Sequence, residues 1–141
     1  MRAEALAALD GVEMILHAGD VGVLSVLREL EGIAPVHAVY GNCDDPAFGL
    51  RQSVDLTLGG LKVHVSHGHE VGSPTPERLT ARYTADVIVF GHTHKPLIEQ
   101  HGKTLVINPG AAGPRRFSLL PSVAILRIED GNARAEIISL T

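Results

Sequence analysis

The sequence predicts an α/β domain whose parallel first part gives way to antiparallel hairpins. Three observations carry this reading. Over residues 2–40, short apolar runs rich in β-formers alternate with helix-period segments. Later, strand-length runs pair off around short connections containing glycine. Several strands end in a glycine beside a side chain able to bind a metal, which is where open α/β sheets keep their ligand loops.

The elements follow in chain order. Arg2 to Leu9 reads as a helix with Leu6 and Leu9 on one face, and Val12 to Leu16 as a buried strand. Val23 to Leu30 is the second helix, with Val23, Val26, Leu27 and Leu30 spaced three and four apart, and Pro35 to Tyr40 the second strand. Val54 to Leu58 and Leu61 to Ser66 flank Gly59-Gly60, a connection suited to a tight hairpin. A helix is expected from Thr75 to Tyr83, with Pro76 in its first turn, where a missing N–H costs little. Ala85 to Phe90 is a nearly continuous apolar strand. Pro96 to Gln100 then pairs with Thr104 to Asn108 around Gly102-Lys103, and Val123 to Ile128 with Ala133 to Leu140 around Asp130-Gly131-Asn132. No repeat or linker-like stretch interrupts residues 1–141, so one domain is expected.

Composition narrows the function classes. With 45% hydrophobic and 20% charged residues over 141 positions, the chain can enclose a core. A formal net charge of −4 with scattered Lys and Arg offers no docking surface for nucleic acid. No secretory pattern or run of eighteen apolar residues is seen, and the single Cys43 suits a reducing compartment, so a cytoplasmic protein without a membrane partner is expected.

Four segments combine glycine with ligand-type side chains at strand ends: Gly19-Asp20, Gly41-Asn42-Cys43-Asp44, His67-Gly68-His69 and Gly91-His92-Thr93-His94. Oxygen from Asp and Asn together with imidazole nitrogen suits manganese, iron, zinc, cobalt or nickel better than calcium or magnesium alone. In this order the segments resemble those of the calcineurin-like metallophosphoesterases, in particular their small bacterial and archaeal phosphodiesterase-like branch. Asn108-Pro109-Gly110 also looks like a loop of that branch.

The resemblance implies a metallophosphoesterase-type α/β sandwich, with mixed sheets flanked by helices, that hydrolyses phosphodiester bonds through a metal-activated water. It implies that Asp20 bridges two divalent ions, manganese being the first expectation. Asn42, His67 and His92 would complete the second metal site, and His94 would ligate the first. The family's first site also takes an Asp-x-His motif that follows an opening strand, and these residues contain neither. The expected architecture therefore has its first strand missing, its first metal site incomplete and its activity impaired, with an exposed sheet edge able to support a homo-oligomer. The alternative is a non-catalytic scaffold or binding protein of the same fold, as the metallophosphoesterase-like subunit of the retromer coat resembles its enzymatic relatives.

Other candidates carry plainer readings. His17 reads as a packed or supporting residue, and His37, His64 and His101 as structural. His69 either faces the phosphate-ester substrate or hydrogen-bonds within its loop. Cys43 stands where many members of the larger family carry a histidine that assists the leaving group, and a thiol is a poor replacement. Asp44 either caps its loop or touches an ion. Arg115, with Arg116, could bind phosphate through paired N–H donors, although exposed arginines usually have no such role.

Overall fold

A computed structural model describes residues 3–21, 24–112 and 121–140. Arg115 and Arg116 lie outside the described residues, as do Val23 and Arg2. The elements run α1 (Ala3–Ala8), β1 (Ile15–His17), α2 (Leu24–Glu31), β2 (Val36–Ala38), β3 (Ser53–Leu58), β4 (Leu61–Ser66), α3 (Pro76–Arg82), β5 (Val87–Val89), β6 (Leu97–His101), β7 (Thr104–Asn108), β8 (Ser122–Glu129) and β9 (Asn132–Ser139). Single 3-10 turns at Pro46–Phe48 and His69–Val71 add to the expected set.

Side-chain alternation sorts these elements into layers, because successive strand residues face opposite sides. Ile15, Val123 and Leu140 pack with Ala5, Leu9 and Leu30 beneath α1 and α2. On the other side of the same strands, Leu16, Ala124, Leu126 and Ala135 meet Val63, Val65, Val87, Val89, Leu105 and Ile107. Ile88, Phe90 and Val106 point the opposite way, onto Leu79 of α3. The order is helices, β1–β2 with β8–β9, a five-stranded sheet, and α3. This is an α/β sandwich with mixed sheets flanked by helices, as the sequence predicts.

The five-stranded sheet has the order β3-β4-β5-β7-β6, parallel at β4–β5 and β5–β7 and antiparallel at its two outer pairs. β1 and β2 are parallel, pairing Ile15 with Val36, and β8 and β9 are antiparallel. Among the described residues no strand other than β2 pairs with β1. No helix among them is long and apolar enough to cross a membrane.

Several boundaries differ from the sequence reading. Val12 is not in β1, and Ala85 and Phe90 flank β5. Val12 nevertheless packs on the core beneath the helices, and Ala85 and Phe90 pack against α3. Apolarity follows burial, whereas a strand ends where its ladder partner ends. His101 closes β6 opposite Thr104 and is not a loop residue. The last hairpin turns on Asp130-Gly131 alone, both at positive φ (52° and 76°), and Asn132 already pairs with Glu129. Thr75 caps α3 by accepting from the Arg78 N–H, with Pro76 at its start.

Candidate metal centre

The four glycine-containing segments follow β1, β2, β4 and β5. Within the parallel pairs β1–β2 and β4–β5 the carboxyl ends lie on one side, so the loops can converge. Asp20 and His67 meet there, with His67 Nε2 3.2 Å from Asp20 Oδ2. The His92 ring centroid lies 5.2 Å from that of His67, and His69 is 5.2 Å from His67 and 6.3 Å from His92. The turn carrying Asn42 reaches the same place through its backbone, for the Cys43 N–H donates to Asp20 Oδ1 at 2.9 Å. Asn42 itself is exposed, and His94 is half-buried two residues beyond His92. Among the described residues no three His, Cys, Asp or Glu side chains are grouped to hold one ion.

Close approach explains two of the glycines. A β-carbon at Gly41 would land on the backbone nitrogen and carboxylate of Asp20, and one at Gly19 would lie 2.6 Å from His67 Nδ1. Asp20, His92 and His94 themselves adopt left-handed backbone, with φ of 55°, 68° and 62°. A non-glycine residue held in that region costs about 1–2 kcal/mol. Such strain persists when the surroundings over-determine it and is found at functional sites.

The His67 ring tests the fit of a metal. Its Nδ1–H donates to the Ala18 carbonyl at 2.8 Å, which leaves Nε2 as the lone-pair nitrogen. Burial holds the His67 pKa below its ordinary value, outweighing the opposite pull of Ala18 and Asp20, so the ring is neutral near pH 7. Nε2 is buried and has no hydrogen-bond partner. A lone pair facing a carboxylate oxygen across 3.2 Å is repulsive, and a cation bound by both atoms relieves it. Mixed imidazole and carboxylate donors fit a divalent transition metal, and the carbonyl behind the ring supplies the orientation metal-binding histidines need.

The supporting groups include some that the sequence did not single out. Glu70 accepts from the Gly68 N–H at 2.9 Å and from the Tyr83 hydroxyl at 2.7 Å, which braces the turn between His67 and His69. Burial pushes the Glu70 carboxyl up, but these bonds outweigh it and hold the pKa below the usual value. Burial, reinforced by Glu70, pushes the Tyr83 hydroxyl up to about 12. Tyr83 comes from the end of α3, and no motif marks it. Tyr40 was read only as the end of a strand, yet its ring sits edge-on to His69 at 6.2 Å.

The other candidates fall as follows. Buried Asp44 accepts from the Gly41 N–H at 2.9 Å and so caps its own turn. His17 Nδ1 accepts from the Gly19 N–H at 3.2 Å, and burial holds its pKa down. His64 is buried, bonded to Asp55 at 2.8 Å and stacked on Tyr83. Cys43 is exposed. His69 Nδ1 is buried without a hydrogen bond, 4.0 Å from Glu70 Oε1.

Residues 1–131 match the family model of the calcineurin-like phosphoesterase superfamily domain. The chain belongs to that superfamily. It is 37% identical over 138 residues to a "Probable metallophosphoesterase" of Methanothermobacter thermautotrophicus, covering 93% of this chain and 78% of that protein. It is 30% identical to the phosphodiesterase YfcE of Escherichia coli K12 over 72% of this chain and 62% of that one. In structure it superposes with a TM-score of 0.81 on Entamoeba histolytica Vps29 complexed with zinc, at 25% identity, over 99% of this chain and 89% of the other. An archaeal phosphodiesterase gives 0.75 at 27% identity, over 96% and 89%. A calcineurin-like phosphoesterase fold thus presents its ligand-type residues on loops at the carboxyl ends of its parallel strands.

Proposed function

We propose that this chain is a metal-dependent phosphoesterase that cleaves phosphodiester bonds with a metal-activated water. The contact between the neutral, carbonyl-oriented His67 Nε2 and Asp20 Oδ2 carries the reading. Asp20 would bridge two ions, Asn42, His67 and His92 would hold the second, and His94 the first. Divalent ions held there, manganese foremost, would activate water near neutral pH and offset the charge of phosphoryl oxygens. The protein's own groups supply geometry. Asp20 keeps Oδ1 anchored on the Cys43 N–H and turns Oδ2 toward His67. His69, beside Tyr40 at the same mouth, would face the substrate phosphate together with Arg115. No covalent nucleophile is required. Among these residues Asp20 and His94 would contact the first ion, and Asp20, Asn42, His67 and His92 the second.

The test compares the wild type with His92→Ala. Elemental analysis should show most of the metal gone from the variant. Hydrolysis of a generic diester by the wild type should keep rising with Mn²⁺ beyond saturation of the tighter site. Equal metal content in the two proteins would overturn the ligand assignment.

A second reading, a non-catalytic scaffold, is favoured by the absence of a three-ligand cluster among the described residues and by the likeness to Vps29. Metal bound without any turnover would select it. We further assign the protein to the cytoplasm on its single cysteine. The edge of β1 away from β2 is a route to self-association, which light scattering on the purified chain would reveal as a dimer.

A further inference from the structure

Asn108 ends β7, between β5 and β6 of the five-stranded sheet, and is completely buried. Its amide nitrogen donates to the Gly91 carbonyl at 3.1 Å and to Thr93 Oγ1 at 3.0 Å. Its carbonyl oxygen accepts from the Gly110 N–H at 2.9 Å. The side chain therefore satisfies its two donors and an acceptor on loop groups, a combination that a carboxamide supplies and a carboxylate cannot. Both groups that receive its donors belong to the loop bearing His92 and His94, and they alternate with the two histidines along the chain.

That loop needs holding. His92 and His94 are both left-handed, and a β-carbon disfavours this conformation at each. The Thr93 N–H also bonds the Gly91 carbonyl, at 2.8 Å, so that oxygen is fixed from two directions. On the far side Asn108 is itself anchored. The Ser122 hydroxyl donates to the Pro109 carbonyl at 2.7 Å, and Gly110 packs so close to Ser122 and Pro96 that no β-carbon fits there. The path runs from β8 through the Pro109-Gly110 turn to Asn108 and on to the two histidines.

We propose that Asn108 is a positioning residue of the metal centre. Through Gly91 and Thr93 its carboxamide imposes the two left-handed turns that set the directions in which His92 and His94 leave the loop. The inference rests on the metal-binding reading above for its consequence, but its geometric part is testable without metal.

The experiment uses the full chain, isotope-labelled, in four forms: wild type, Thr93→Val, Thr93→Ser and Asn108→Asp. Thr93→Val removes the hydroxyl acceptor at a loop position and so spares the core should Asn108→Asp fail to fold. Three-bond HN–Hα couplings at His92 and His94 report φ in the metal-free protein, and calorimetric titration with Zn²⁺ and Mn²⁺ reports affinity. The expected result is that Thr93→Val loses the left-handed couplings at both histidines and binds metal roughly 10- to 100-fold more weakly, the range for loss of an outer-shell partner. Thr93→Ser should keep both properties, because its hydroxyl remains. Thr93 Oγ1 also accepts from the Lys95 N–H at 3.3 Å, so Asn108→Asp, which leaves that bond in place, should lose the same couplings, and either Thr93→Val or a folded Asn108→Asp with wild-type couplings would overturn the clamp. A wild type that binds neither metal would instead overturn the metal-binding reading, while its couplings against those of Asn108→Asp and Thr93→Val would still decide whether Asn108 sets the loop.

Discussion

The loops after β1, β2 and β5 and the β8–β9 hairpin handle the same backbone problem differently. The hairpin reverses direction once, with left-handed residues only at Asp130 and Gly131, and a β-carbon added at Gly131 would meet nothing within 4 Å. Asp in such a turn is among the residues that tolerate the conformation best. The loops at the candidate metal centre place Asp20, His92 and His94 in the same region of backbone space, and there Gly19 packs against His67 and Gly41 against Asp20. One region turns because the local sequence prefers to turn. The other holds two histidines in that conformation with bonds from Asn108 to Gly91 and Thr93, while Asp44 caps the turn after β2.

The largest test of this contrast is Gly41→Ala against Gly131→Ala. At Gly41 the added carbon collides with Asp20, so a destabilisation of about 1–3 kcal/mol is expected, accompanied by loss of metal binding. At Gly131 only the positive φ is penalised, at about 1 kcal/mol, with metal binding intact. Urea melts and metal titration of both variants make the check; equal metal affinity in the two would erase the distinction.

A second difference concerns pH. Burial lowers the folded-state pKa of both His17 and His67 from 6.5. The unfolded chain therefore binds protons at higher pH than the folded one does. Their contribution is complete above about pH 6.5 and is lost as pH falls from there through the lowered folded values. The urea midpoint of the metal-free protein should drop between pH 7.5 and 5, and His67→Gln should show a shallower drop. Glu70, whose folded pKa is also lowered, adds a loss of the same sign at more acidic pH.

Strain at the site makes a smaller prediction of opposite sign. His92→Gly should raise the stability of the metal-free protein by up to about 1 kcal/mol, because glycine accepts the left-handed turn freely, while metal affinity falls. Asp130→Gly in the hairpin should change little. Thermal melts of the two variants without metal measure this directly, and a destabilised His92→Gly would mean that the imidazole's contacts outweigh its backbone strain.

The smallest expected effect is at the surface of the hairpin. Arg127 and Glu136 form a 2.7 Å ion pair, with both side chains more than half exposed. Arg127→Ala should cost less than about 0.5 kcal/mol and leave metal binding unchanged.

What the sequence determined by itself is what short-range chemistry controls. Strand-length runs on either side of Gly59-Gly60 and Gly102-Lys103 marked Leu61–Ser66 and Thr104–Asn108 at their observed bounds. Gly59-Gly60 fixed one hairpin, and Pro76 with Thr75 fixed the start of α3. The position of the ligand-type residues after β1, β2, β4 and β5 was also legible, since each follows an apolar run that ends at a turn. The tertiary structure alone decided which nitrogen of His67 faces Asp20, because that choice is made by a carbonyl 49 residues away at Ala18. It likewise decided that Glu70 is braced by Tyr83, and that Asn108 reaches back 17 residues to Gly91. The His67 bond joins two sheets, the Asn108 bond joins the ends of neighbouring strands β7 and β5, and the Tyr83 bond joins α3 to the turn after β4. No local spacing encodes them, and they hold the loops that carry the candidate ligands.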